Sequence, residues 1–199
     1  MSSTPTPQPK GKPQTNNVTV TVRVATAADA AALCDLARAT FRDTFNPVPN
    51  TPTATNQPHD VDAYCESAFS PEIQAEEIRQ GVVFVAEVTT GPETSIVGYS
   101  RLAHDATEPC LTGPLPRGEL KRLYVAAQYG GCGIGSKLFN AVADLAREVG
   151  DKSLWLGVWE HNYPAKTFYA RKGMKACGDH VFLFGSDPQT DEIWEMELQ

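Results

Sequence analysis

Between Leu123 and Phe139 the chain reads LYVAAQYGGCGIGSKLF, so that Gly130, Gly131, Gly133 and Gly135 fall between an apolar run and the start of a helical pattern. Glycine allows unusual backbone angles and close approach, and amides at a helix N-terminus attract anions, so such a cluster suits phosphate oxygens. Two common phosphate-binding patterns do not fit. A P-loop closes with Gly-Lys-Ser/Thr, whereas Gly135, Ser136 and Lys137 carry the hydroxyl and the lysine in the opposite order. A dinucleotide fingerprint begun at Gly131 needs glycine where Ser136 stands, and its fold needs more strand–helix units than the remaining chain supplies. Taken alone, the cluster is equally a tight turn. Cys34, Cys65, Cys110, Cys132 and Cys177 show no CxxC spacing, and the four histidines show no HxH or HExxH pairing. Neither a metal site nor a disulfide framework is expected from them. Cys132 lies inside the glycine run with nothing nearby to complete a nucleophilic triad.

The chain has 199 residues, 41% of them hydrophobic and 21% charged, which predicts one globular domain of ordinary size with a tail. A formal charge of −7 argues against broad binding to nucleic acid or an anionic membrane, and it is compatible with a cationic small-molecule partner. No apolar run is long enough to span a bilayer, the N-terminus has no apolar signal core, and the scattered cysteines suit a reducing compartment. A cytoplasmic location is therefore expected. Residues 1–17, rich in Pro, Ser, Thr and Gln, read as a disordered tail, and residues 18–199 as a single domain.

The elements that must position the glycine cluster follow from periodicity. Val18, Val20, Val22 and Val24 alternate with polar residues as in a half-buried strand. Thr26 and Asp29 have the spacing of a capping box, and Leu33, Leu36, Ala37, Thr40 and Phe41 then repeat as one helix face. The stretches 46–60 and 103–118 are rich in Pro and Gly and read as long loops, with a short helix at Val61–Phe69 and another capped by Ser70 and Pro71. Strands are expected at 81–88 and 94–102, joined as a hairpin, and again from Glu119 into the glycines. Ile134, Leu138, Val142, Leu145 and Val149 form the apolar face of the following helix, which Gly150 stops. A strand at 153–159, a helix ending at Gly173 and two closing strands around the turn signal SDPQ complete an α/β layout with a mixed sheet of about seven strands.

Residues 130–135 resemble motif A of the GNAT N-acetyltransferase superfamily, R/Q-x-x-G-x-G/A, and NYPAKTFYARKGM at 162–174 resembles its motif B. The two lie at the family's separation with a strand between them, and the resemblance covers roughly residues 18–199. Gly130 stands where the family carries Arg or Gln. The closing strands, with Thr40-Phe41-Arg42-Asp43-Thr44-Phe45, look like the branch holding the Pai-type polyamine acetyltransferases.

The resemblance implies a three-layer GNAT fold: a mostly antiparallel sheet splayed between its fourth and fifth strands and flanked by helices. It implies acetyl-CoA as co-substrate, held by Leu123, Tyr124 and Val125 on the strand and by Gly130, Gly131, Cys132, Gly133, Ile134, Gly135 and Ser136 in the loop. Val125 N–H is the implied oxyanion donor, Asn162 meets the pantetheine end, and Tyr169 is the general acid toward the departing thiolate. Glu119 takes the position of a general base, with Glu160 and Asp43 as alternatives, while Phe45, Trp159 and Glu160 are expected at the acceptor. The implied activity is direct acetyl transfer to a primary amine of a small molecule, a polyamine among the candidates. A protein or peptide N-acetyltransferase and a non-catalytic acyl-CoA sensor remain open, as does a homodimer formed through the last strands.

Overall fold

The computed structural model describes residues 19–185 and 187–199; the expected tail at 1–17 lies outside the described residues. The valine alternation forms β1 (Thr19–Val24), and α1 (Ala30–Phe45) follows a capped entry in which Thr26 N–H donates to Asp29 Oδ2 at 2.7 Å. Next come α2 (Pro58–Ala68) and α3 (Pro71–Gln80), the latter capped by Ser70 Oγ accepting from Ile73 N–H at 3.2 Å. A hairpin of β2 (Val83–Thr90) and β3 (Glu93–Ala103) leads to β4 (Arg117–Val125), α4 (Ile134–Glu148), β5 (Ser153–Trp159) and α5 (Tyr163–Arg171). Two long strands, β6 (Lys175–Phe184) and β7 (Asp187–Glu197), end the chain.

The seven strands form one sheet in the order β1-β2-β3-β4-β5-β7-β6, parallel between β4 and β5 and antiparallel elsewhere. This is the mixed, helix-flanked sheet expected from the sequence. One face packs on α1 and α2 through Leu33, Ala37, Phe41, Val61 and Phe69, and the other on α4 through Leu138, Phe139 and Val142.

Several boundaries differ from the sequence expectations. The loop given as 46–60 contains a short helical turn at Pro52–Thr55, and α2 already begins at Pro58, because proline fits the first turn of a helix. The loop given as 103–118 narrows to 104–116, since Ala103 and Arg117–Gly118 belong to strands. Within the signal SDPQ, Asp187 pairs with Phe184, Pro188 with Leu183 and Gln189 with Phe182, so these three residues belong to the ladder. On α4, Leu145 is only partly buried and Val149 is 56% exposed, while Phe139, Ala143 and Ala146 complete the inner face. Val149 is the C-cap residue just past the end of the helix, and Leu145 still packs at the edge of the core.

Beneath β4 lies a buried ionic cluster. Glu77 of α3 accepts from Arg101 on β3 at 3.3 Å and from Arg122 on β4 at 3.1 Å, and Arg122 also lies over the Phe69 ring at 5.1 Å. All three charged side chains are nearly out of solvent. Removing the single carboxylate leaves two guanidiniums facing each other in a low-dielectric setting, which costs far more than the pair itself contributes. Glu77→Gln should therefore lower stability by roughly 3–5 kcal/mol, read as a fall in the urea midpoint.

Candidate active site

β4 and β5 pair over only three rungs, Arg117 with Ser153, Gly118 with Leu154 and Glu119 with Trp155. Beyond Glu119 the strands separate, and the gap opens into a cavity of about 720 Å³ lined by residues of both. At its β4 wall, Ala126 N–H donates to Val97 O at 2.8 Å, so Ala126 faces β3. Directions alternate along a strand, so the N–H and C=O of Val125 face the gap, as do those of Leu123. Neither finds a partner on β5, which has already diverged.

The glycine cluster sits at the end of that wall. Gly131 and Gly133 have φ of 81° and 78°, angles that L side chains rarely adopt, which is the local reason for glycine there. Gly133 is the cap of α4, and Lys137 N–H, bonded to Gly133 O at 3.1 Å, opens the helical ladder. The amides of Ile134, Gly135 and Ser136 precede it, and the positive end of the helix lies among them. Two other amides of the cluster are already used: Gly130 N–H bonds Ala127 O at 3.0 Å, and Cys132 N–H bonds Tyr129 O at 3.2 Å. Gly130 itself has an ordinary φ of −58°.

Tyr169, on α5, lines the cavity and packs on Phe139 and Phe168. Burial raises its phenol well above the usual value, and Tyr124 adds to the effect, so the proton is retained at neutral pH. Asn162 caps α5, its Oδ1 accepting from Ala165 N–H at 3.3 Å, and it also lines the cavity. Phe45 and Trp159 form part of the wall with ring centroids 4.8 Å apart, and the Trp159 indole is fixed by Gln189 Oε1 at 2.7 Å. Leu123, Tyr124, Val125, Asn162, Tyr169, Phe45, Trp159 and Asp43 are thus brought to one cavity.

Glu119 and Glu160 are not among the residues that line it. Glu119 stands on the last paired rung, with one carboxylate oxygen buried and unpartnered among the described residues, and burial raises its pKa. Glu160 contributes its carbonyl to Lys166 Nζ at 2.5 Å. Sequence reasoning missed Asp191 of β7 and Gly157 of β5, which also line the cavity. A glycine inside the strand SLWLGVW was the available signal, since it marks close approach of another group.

Residues 33–174 match the acetyltransferase (GNAT) family. An uncharacterized N-acetyltransferase from the pepI 3′ region of Lactobacillus delbrueckii subsp. lactis is 33% identical over 82% of this chain and 88% of its own. The streptothricin acetyltransferase of Streptomyces lavendulae is 34% identical over 56% of each. Among solved structures, the PaiA N-acetyltransferase of Thermoplasma acidophilum in complex with coenzyme A superposes with a TM-score of 0.65 at 18% identity, over 90% of this chain and 99% of its own. The chain belongs to the acetyltransferase (GNAT) family, and it is an acyltransferase. Among the described residues no helix is long and apolar enough to cross a membrane.

The two kinds of glycine in the loop should separate on substitution. Gly133→Ala forces a side chain into the left-handed region and should cost about 1–2 kcal/mol. A methyl at Gly135 meets Phe168 only at 3.8 Å. Gly135→Ala should therefore leave stability unchanged or raise it by up to about 1 kcal/mol. Paired urea titrations check both.

Proposed function

We propose that this acyltransferase uses acetyl-CoA to acetylate a primary amine of a small molecule by direct attack within a ternary complex. The observation that carries this is the unpaired β4 backbone facing the gap, next to a glycine loop that ends in a helix N-terminus. The Leu123 and Val125 groups suit the amides of a pantetheine arm, and the free amides at the head of α4 suit its pyrophosphate. Val125 N–H, fixed in place before any ligand arrives, is the donor for the negative charge that develops on the thioester oxygen. Tyr169, held protonated by its surroundings, gives its proton to the departing thiolate. Asn162 braces the same end of the arm from the start of α5.

A polyamine is supported by a second cavity of about 760 Å³ that shares Thr40, Asp43 and Ala127 with the first. Of its four carboxylates, Asp29 and Glu87 are engaged by Arg23 at 2.8 and 2.6 Å. Asp35 and Asp43 are left to receive distal ammonium groups.

Thiol release from acetyl-CoA is the direct test, with spermidine, a lysine peptide and an aromatic amine as acceptors. A small amine should be turned over, whereas preference for the peptide would point to a protein acetyltransferase. Binding of acetyl-CoA without any transfer would point to a sensor. Tyr169→Phe should lower kcat by roughly 10²–10³ while calorimetry finds acetyl-CoA affinity unchanged. Unaltered turnover would remove Tyr169 from the role of acid.

A further inference from the structure

The gap between β4 and β5 contains one carboxylate that the acetyl-transfer scheme above does not use. Asp191 lies on β7, directly opposite Trp159 of β5 on one side and His180 of β6 on the other. Its side chain turns back over β5: a Cβ placed on Gly157 would sit 3.3 Å from Asp191 Oδ2. The glycine therefore leaves the space that the carboxylate occupies. Asp191 is half-buried, lines the cavity that also holds Tyr169, and makes no side-chain hydrogen bond or ion pair among the described residues. Aromatic rings from Phe45, Tyr64, Trp159 and Phe182 line the same space. A desolvated carboxylate with no cation of its own, in an aromatic-walled cavity, is a receptor for an organic ammonium.

We infer that Asp191 is the carboxylate that receives the acceptor's primary ammonium and takes its proton before attack. This rests on the acetyl-transfer reading and names a residue of the acceptor side. The ammonium passes one proton to Asp191, and the neutral nitrogen then bonds to the acetyl carbon as the carbon–sulfur bond breaks. Tyr169 gives its proton to the sulfur and takes back the second proton from the nitrogen, so the amide and the free thiol are both neutral. Asp191 releases its proton to solvent, and one proton is produced per turnover.

The surroundings suit the role. Burial pushes Asp191 up to about 6, against an opposing pull from His180. The other charged or titratable groups around the cavity are Asp43 on α1, Tyr64 on α2, Lys121, Arg122 and Tyr124 on β4, and Tyr169 on α5. Lys121 is bound by Asp105 at 2.8 Å, Arg122 by Glu77 at 3.1 Å, and His180 by Glu108 at 2.8 Å. A carboxylate titrating near 6 is charged at neutral pH yet accepts a proton more readily than an ordinary aspartate.

The test compares wild type with Asp191→Asn and Gly157→Ala. Acetyl transfer is followed by thiol release from about pH 5.5 to 8.5, with spermidine and 2-phenylethylamine as acceptors. Binding of the same amines, and of neutral 2-phenylethanol, is followed with coenzyme A present through the Trp159 indole N–H signal. Wild-type kcat/KM should fall as pH drops through about 6, because the base must be ionised. Asp191→Asn should lower kcat/KM by roughly a hundredfold, lose that acid limb and lose the indole shift with amines, while acetyl-CoA affinity stays as in wild type. Gly157→Ala should act in the same direction by displacing the carboxylate.

Stability separates this from damage to the fold. A carboxylate raised on folding binds more protons in the native state than in the unfolded one between about 4 and 6, so its ionisation costs stability as pH rises. Asp191→Asn should thus melt no lower than wild type at pH about 8. Activity of Asp191→Asn within about threefold of wild type, an unchanged acid limb, or wild-type protein that neither acetylates these amines nor shifts its indole signal with them would overturn the inference. Failure to bind acetyl-CoA at all would instead sink the acetyl-transfer reading, and the inference with it.

Discussion

Three rungs of parallel pairing hold β4 to β5, and the place where they stop governs everything at the site. Unpaired N–H and C=O groups out of water cost about 1–3 kcal/mol each, so two neighbouring strands would ordinarily close up. Here they cannot. β4 is zipped to β3 up to the Gly98–Val125 pair, and β5 is zipped to β7 up to the Trp159–Asp191 pair. Each strand is committed to the neighbour on its far side, and the gap is what remains between two ladders that diverge. Glu77 reinforces one side by binding β3 and β4 together through Arg101 and Arg122. The main-chain groups of Leu123 and Val125 are thus held in position before a ligand comes, which is the condition for a donor to favour developing charge over ground-state charge.

The helical side closes the gap with aromatic rings. Phe41 stacks on Phe45 at 4.4 Å and on Tyr64 at 4.5 Å, and Phe45 continues the series to Trp159 at 4.8 Å. Phe184 at the end of β6 touches Phe41, Phe45 and Tyr64, so the last strands and the first two helices share one cluster. Rigid rings lose little rotamer freedom when ordered and bury large apolar areas, so a wall made of them keeps its shape when empty. This ties that wall of the cavity to the same packing that fixes the fold.

The glycine-loop side of this arrangement was legible in the sequence because its structure is local. A glycine cluster, a helix with a clear apolar stripe and a capping asparagine all lie within fifty residues of one another, and each signals through its own neighbours. The expected α4 stripe fails only at Val149, which is the C-cap residue at the helix end and 56% exposed. The β7 contribution to the cavity was not legible, and the reason is topological. Strand order places β7 beside β5, which brings Asp191 over Gly157 across thirty-four positions of sequence that contain a helix and a strand. No periodicity connects those two residues. Glu119 drew attention because it stands on the strand that enters the glycines, yet the cavity begins one residue later, at Leu120, where pairing with β5 has ended.

Charge completes the division between the two sides. The glycine-loop end presents neutral main-chain amides and a helix terminus, with no arginine or lysine among residues 130–136. Among the charged residues that line the cavity, Arg122 is matched by Glu77 and Lys121 by Asp105, and the His180 ring is hydrogen-bonded to Glu108. Asp43 and Asp191 remain without such partners among the described residues. The field in the gap is therefore set by carboxylates, although cationic side chains surround it. In the proposed reaction a protonated amine enters as a counter-ion and sits where one of those carboxylates can relieve it of its proton. The molecule's overall charge of −7 would attract cations weakly everywhere; it is the pairing pattern inside the cavity that gives the attraction a position.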